Sequence, residues 1–290
     1  MAFEALFRRA AKVGQAVMIR HTLFSLPFAV SAVLLETGGK PPAAKLFWIL
    51  VAAVGARHAA NALNRLIDLK IDAKNPRTAS RPSVTGEASL RSLWIFTIAM
   101  LALLVIGAAM LNPLCVALLP LAGILVFGYS YTKRFTWLCH YWLGVACSAA
   151  TMGAFLGISG AFHLRYFPLT AGVALWVAGF DILYAIQDIG FDRREGLFSV
   201  PAVFGERKAR LAAAASHLGA AAAMAFPLFL WPVNRLPALG AFALCASLLA
   251  AEHIVALGNT ERHIRIAAYG INEIIPIIYL AGVALGIYLG

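Results

Sequence analysis

The chain has 290 residues, of which 61% are hydrophobic and only 13% charged, with a mean hydropathy of +0.81. A soluble domain carries about twice that share of charge, so these proportions exclude a soluble enzyme. The net charge of +11 does not point to nucleic acid, because Lys and Arg are spread over short connections rather than gathered on one soluble basic face.

In chain order, residues 3–17 come first. Phe3, Leu6, Phe7, Val13 and Val17 can share one helical face opposite Arg8, Arg9 and Lys12, which suits an amphipathic helix lying on a membrane surface. Nine apolar runs follow, near 19–37, 43–63, 91–111, 113–131, 137–158, 167–187, 211–231, 236–257 and 271–289. Each approaches the length of about 20 residues that a helix needs to cross a bilayer. The runs are continuous rather than alternating, which argues against barrel strands. Asn112-Pro113 separates the third and fourth runs as a tight hairpin. No stretch is left over for a soluble domain. The expected fold is all-α, an integral membrane protein of nine transmembrane helices, with residues 1–290 as one membrane domain.

The connections carry a charge bias. With the N-terminus in the cytoplasm, alternate connections collect 19 of the 24 Lys and Arg residues, as the positive-inside rule requires. The segments 64–90 and 181–210 then face the cytoplasm. The four cysteines, Cys115, Cys139, Cys147 and Cys245, form no CxxC and sit in or beside apolar runs, so buried free thiols are expected. Glu252, His253, Asn272 and Glu273, near span ends, read as interhelical or interfacial groups.

All five aspartates fall in two short stretches, each at the cytoplasmic end of a run. The first reads Asn64-Arg-Leu-Ile-Asp68-Leu-Lys-Ile-Asp72. The second reads Asp181-Ile-Leu-Tyr184-Ala-Ile-Gln-Asp188-Ile-Gly-Phe-Asp192. Each holds two Asp four residues apart, which share one face of a helix. The stretches are offset by 120 residues, since Asp68 answers to Asp188 and Asp72 to Asp192. The segments after them repeat as well, Ser80-Arg-Pro-Ser-Val-Thr-Gly-Glu87 against Ser199-Val-Pro-Ala-Val-Phe-Gly-Glu206. Internal repeats in membrane proteins commonly place a ligand at their interface, so the two acid pairs are expected to face one cavity.

Paired carboxylates suit a hard cation such as Mg2+, which takes oxygen ligands and shares substrate phosphates. Arg77, Arg81, Arg193 and Arg194 could hold remaining phosphate oxygens. An allylic cation left by a departing diphosphate could be stabilised by Phe127, Tyr129 and Tyr131. Arg57 lies within a span, about two turns before Asn64. An arginine there costs roughly 2.5–3.5 kcal/mol on insertion scales and marks a functional site by default. The alternative is an ion pair inside the bundle, to Asp181 or a carbonyl. His58 reads as a polar core contact.

The first stretch, followed by Arg77-Thr-Ala-Ser-Arg81-Pro, resembles the first motif of the UbiA superfamily of intramembrane aromatic prenyltransferases. The second resembles that superfamily's second motif, and Tyr129-Ser-Tyr-Thr-Lys-Arg-Phe-Thr136 resembles a loop of the 4-hydroxybenzoate polyprenyltransferases. The match spans residues 19 to 289. It implies nine helices around a central cavity open to the bilayer, in a bacterial cytoplasmic (inner) membrane. It implies Mg2+-dependent transfer of a polyprenyl group from polyprenyl diphosphate to a ring carbon of an aromatic acid such as 4-hydroxybenzoate, in ubiquinone or menaquinone biosynthesis. On this resemblance Asn64, Asp68, Asp72, Asp188 and Asp192 hold the metal, and the four aspartates are catalytic. Arg57, Arg77, Arg81, Lys133, Asp181 and Tyr184, with Asn64, bind substrate.

The chain departs from the pattern at Arg65, where many relatives carry Asp. Asn64-Arg-Leu-Ile-Asp68 and Phe24-Ser-Leu-Pro-Phe-Ala29 look more like a side branch whose acceptor is 1,4-dihydroxy-6-naphthoate, on the futalosine route to menaquinone. A haem or chlorin acceptor would use the same acid motifs. An intramembrane cation transporter is the reading from another class, and predicts acids near the bilayer midplane rather than at one face.

Overall fold

The computed structural model describes residues 12–16, 25–258 and 260–290, with no side-chain description for Glu261, Arg265 and Tyr269. Helices account for nearly all of it. They are α1 (Leu26–Thr37), α2 (Ala43–Ile67), α3 (Leu69–Lys74), α4 (Leu90–Leu111), α5 (Pro113–Ala117), α6 (Leu119–Thr132), α7 (Cys139–Ser159), α8 (Phe167–Ala185), α9 (Ile189–Arg194), α10 (Val200–Phe204), α11 (Glu206–Ala225), α12 (Pro227–Leu230), α13 (Arg235–Ala256), α14 (Glu261–Arg265) and α15 (Ile275–Tyr288). Short 3-10 turns precede α8 and α9, and a π-helical segment, Ile266–Ile271, joins α14 to α15.

Local chemistry sets the ends. Pro27 begins α1, and Gly38, at φ 56°, closes it by donating to the carbonyls of Leu34 and Leu35. The Ser89 hydroxyl caps α4 by accepting from the Ser92 amide at 3.2 Å. At the predicted hairpin, Asn112 caps α5 through the Cys115 amide at 3.0 Å, and its own amide donates to Leu156 at 2.8 Å, tying the turn to α7. Six helices among the described residues are long and apolar enough to cross a membrane, and three shorter apolar ones, α1, α6 and α15, accompany them. Together they occupy the nine predicted runs. The predicted surface helix falls largely outside the described residues. Its 12–16 portion is helical, with Val13 and Ala16 buried against Ala62 and Leu93.

α2 packs along α4, and α8 along both α7 and α11. Small residues allow this closeness. A Cβ on Gly144 of α7 would strike the Ala174 carbonyl of α8. The main core lies at the end away from the acids, where Phe155 stacks on Tyr166 at 4.3 Å and Phe28 meets Trp176 at 5.3 Å. Large apolar side chains such as Ile95, Ile98, Ile124 and Leu218 are exposed, as expected for groups that face lipid. Deep in the second half, Trp176 donates to Asn272 at 2.6 Å and the fully buried Glu252 lies 3.8 Å from His217, so Asn272 and Glu252 both belong to interhelical contacts.

Candidate active site

The acid stretches repeat in backbone as well as in sequence. α2 ends at Ile67, Asp68 takes φ −92° and ψ 8°, and the six-residue α3 follows. α8 ends at Ala185, a 3-10 turn leads to Asp188 at φ −95° and ψ 0°, and the six-residue α9 follows. Asp72 and Asp192 occupy the first turns of α3 and α9. The expected single helical face is therefore broken at each first Asp, which re-aims the second. Further on, Gly86 and Gly205 share φ +82°, a conformation open to glycine and rare for other residues. The 120-residue echo is a structural repeat.

Both acid pairs line one cavity of about 640 Å³. Arg57, Asn64, Arg77, Arg81, Lys133, Asp181 and Tyr184 line it too, so the structure brings the motif residues and their predicted substrate-binding partners together. Residues from the first stretch reach the second. Arg77 grips Asp188 with two nitrogens, at 3.1 and 2.5 Å, and also donates to the Tyr184 hydroxyl at 2.6 Å. Asn75 donates to Asp188 at 3.1 Å. Arg81 lies 2.6 Å from Asp72, and Lys133 3.4 Å from Asp192.

Several partners were not assigned from sequence. Arg65 is buried and lies 3.1 Å from Asp72, so the first site carries a cation at the position where the resemblance led to the expectation of an acid. Arg134 holds Asp68 at 2.8 Å from the loop after α6, and Ser199 donates to Asp192 at 2.8 Å. His140 lies 2.6 Å from Asp181. Arg134 was legible as the neighbour of Lys133 in the quoted loop, but pattern alone does not say which acid it meets. In the other direction, Arg193 and Arg194 do not line the cavity, and Arg193 instead donates to the Ala202 carbonyl at 2.8 Å. Of the three aromatics expected to face a cation, only Tyr129 lines the cavity. Phe127 and Tyr131 are exposed, with Tyr131 under the Arg134 guanidinium at 5.0 Å.

Charge sharing tunes the charged rim of the cavity. Burial pushes the Asp68 carboxyl above the ordinary aspartate range and the Asp72 charge adds to this, against the pull of Arg134, Arg65 and Lys133. For Lys133 burial opposes the charge, but Asp192 and Asp188 outweigh it and hold its pKa above the usual lysine value.

Arg57 pairs with no carboxylate among the described residues, so the ion pair to Asp181 is not formed. Its Nη1 lies 3.0 Å from the Cys147 sulfur, and its Nε has no hydrogen-bond partner. The four cysteines are free thiols, as expected, but only Cys139 and Cys245 are buried, and Cys147 lines the cavity. The wall around Arg57 is apolar, with Leu104, Ala108 and Leu125 among the lining residues. The cavity thus has a highly charged mouth and a largely apolar interior in which Arg57 pairs with no carboxylate among the described residues. That arrangement suits a ligand with an anionic head, an apolar tail and a second, anionic partner.

Each acid pair is an all-oxygen donor set. No group of three His, Cys, Asp or Glu side chains able to hold a metal occurs among the described residues. Two carboxylates with a neighbouring amide fit an ion that keeps waters and takes substrate phosphate oxygens for the rest of its shell, as Mg2+ does.

Comparison with known proteins agrees with this geometry. Residues 25–275 match the UbiA prenyltransferase family. A 4-hydroxybenzoate octaprenyltransferase of Saccharophagus degradans is 31% identical over 249 residues, 84% of this chain and 81% of that protein. The apo structure of a UbiA homolog from Aeropyrum pernix K1 superposes with a TM-score of 0.83 at 36% identity, covering 92% of this chain and 98% of the other. A UbiA homolog from Archaeoglobus fulgidus, solved with GPP and Mg2+ bound, shares the fold with a TM-score of 0.68 at 21% identity, over 94% of this chain and 99% of its own. Fold, motifs and relatives converge on one conclusion: the chain belongs to the UbiA prenyltransferase family, as an integral membrane prenyltransferase.

Proposed function

We propose that the protein transfers a polyprenyl group from its diphosphate to a ring carbon of an aromatic acid, with 4-hydroxybenzoate as the leading acceptor, as a step in quinone biosynthesis. The observation that carries this reading is that two matched acid pairs, ringed by cations, share one cavity whose far part is apolar and holds Arg57. The printed activity of the Saccharophagus relative and the GPP and Mg2+ of the Archaeoglobus structure support the same chemistry.

Asp68 and Asp72, with Asn64, would hold one Mg2+, and Asp188 and Asp192 another. Bound there, the ions would supply positive charge to the departing diphosphate. The protein's own groups do the remainder. Arg77, Arg81 and Lys133 each engage an acid in the structure and are close enough to turn toward diphosphate oxygens once the acids are occupied. The apolar wall takes the polyprenyl tail and excludes water that would otherwise quench the allylic cation. Tyr129 offers a ring beside that cation, and Arg57 takes the acceptor carboxylate. The charged mouth faces the cytoplasm of a bacterial inner membrane, by the charge bias of the connections.

The test incubates membranes carrying the protein with a polyprenyl diphosphate, Mg2+ and, in separate arms, 4-hydroxybenzoate or 1,4-dihydroxy-6-naphthoate, and identifies products by mass. A prenylated hydroxybenzoate is expected. Product only in the naphthoate arm would reassign the acceptor, and no product in either arm would overturn the reading.

A further inference from the structure

The acids of the second motif do not all serve the same end. Asp188 and Asp192 sit at the mouth, while Asp181 is seven residues earlier on α8, ~10 Å deeper by helical rise. There one of its oxygens lies 2.6 Å from His140 Nδ1, and Lys and Arg side chains make no ion pair with it among the described residues. Asp181 therefore stands apart from the four mouth aspartates, each of which is paired with Arg or Lys.

Depth places the pair. Arg57 is eleven residues before Asp68 on α2, ~16 Å below the mouth. Its sulfur partner Cys147 is seven residues beyond His140 on α7, again ~10 Å farther in. Asp181 and His140 thus lie between the acid pairs and Arg57. An acceptor held by its carboxylate on Arg57 and a donor held by its diphosphate at the mouth would bring their reacting carbons together at this level.

The two side chains differ in access. Asp181 is 28% exposed on the cavity wall, whereas the His140 side chain beside it, on the same wall, is fully buried. The His140 Nε2 has no hydrogen-bond partner among the described residues. A carboxylate facing a cavity and oriented by a buried ring is the arrangement of a base with its positioning group.

We propose that Asp181 accepts the ring proton of the acceptor and that His140 is its positioning residue; the inference rests on the aromatic-acid reading above. The allylic C–O bond breaks with its electron pair leaving on the diphosphate. A ring π pair then forms the new C–C bond. The C–H bond at that ring carbon breaks, its electrons restore aromaticity, and the proton passes to the free Asp181 oxygen. His140 Nδ1–H donates to the other oxygen and fixes the carboxylate against rotation.

The experiment compares wild type, His140→Ala, His140→Gln and Asp181→Asn in Mg2+-dependent prenylation, with acceptor carrying hydrogen or deuterium at the attacked ring carbon. His140→Ala and Asp181→Asn are each expected to lower kcat ~10²-fold and to slow further with deuterium, while the donor KM and the Mg2+ dependence stay near wild type. His140→Gln, which keeps a donor toward Asp181, is expected to recover much of the rate. Where His140→Ala fails to fold, His140→Asn, polar but shorter, carries the same measurement. Wild-type kcat in the alanine variant, or a loss that deuterium does not deepen, would overturn the proposal. No product from the wild type would instead overturn the reading on which it rests.

Discussion

At the scale of single residues, the site is a set of carboxylates whose charges are matched by cations from other segments. Asp188 is buried and gripped by Arg77 and Asn75. Replacing it with Asn keeps the shape but leaves the Arg77 charge without its partner and removes a proposed metal ligand. Asp68→Asn does the same for Arg134. Each variant is expected to lower prenyl transfer at least ~100-fold, a loss typical of a group acting on charge developed in the transition state, while the folded protein is retained in detergent. Turnover within tenfold of wild type in both would remove the metal assignment. Arg57 acts elsewhere. A charge-assisted hydrogen bond is worth about 1.5–3 kcal/mol, so Arg57→Ala should raise the acceptor KM roughly 10- to 100-fold and leave the donor KM nearly unchanged. Equal increases in the two KM values would reduce Arg57 to a structural role.

At the scale of elements, what the sequence made legible and what it hid can be told apart physically. Spans were legible because lipid demands long apolar runs, and the hairpin at Asn112-Pro113 because Pro must start a helix and Asn caps it. The breaks at Asp68 and Asp188 were hidden, since no Gly or Pro marks them and tertiary contacts set them. The facing of Phe127 and Tyr131 was hidden for a related reason: α6 is apolar nearly all round, so its pattern does not say which side meets the cavity. Close helix contacts were also silent in the sequence. Gly144 lets α7 approach α8 until a Cβ would strike a carbonyl. Gly144→Ala is therefore expected to destabilise the protein by about 1–3 kcal/mol, read as a lowered unfolding midpoint in detergent. An unchanged midpoint would show that the two helices have slack there.

At the scale of the whole molecule, the protein is a repeat folded around its own ligand site. The 120-residue offset of the acids was visible as letters and returns as matched backbone breaks and matched six-residue helices, followed by glycines of matched positive φ at an offset of 119. The letters did not show how the halves interlock, with Arg77 and Asn75 of the first reaching Asp188 of the second. On the proposed metal assignment, divalent ions complete a site that both halves supply, so a chelator is expected to abolish prenyl transfer and added Mg2+ to restore it. Transfer that persists in a chelator would contradict this.

In the proposed mechanism the two acid pairs hold divalent ions on one shared diphosphate. This arrangement is tested most directly by electron paramagnetic resonance of the protein loaded with Mn2+ and an unreactive prenyl diphosphate analogue. Two ions coupled through a common ligand are expected, with the coupling lost in Asp68→Asn and in Asp188→Asn alike. Isolated ions, or coupling that survives both substitutions, would contradict it.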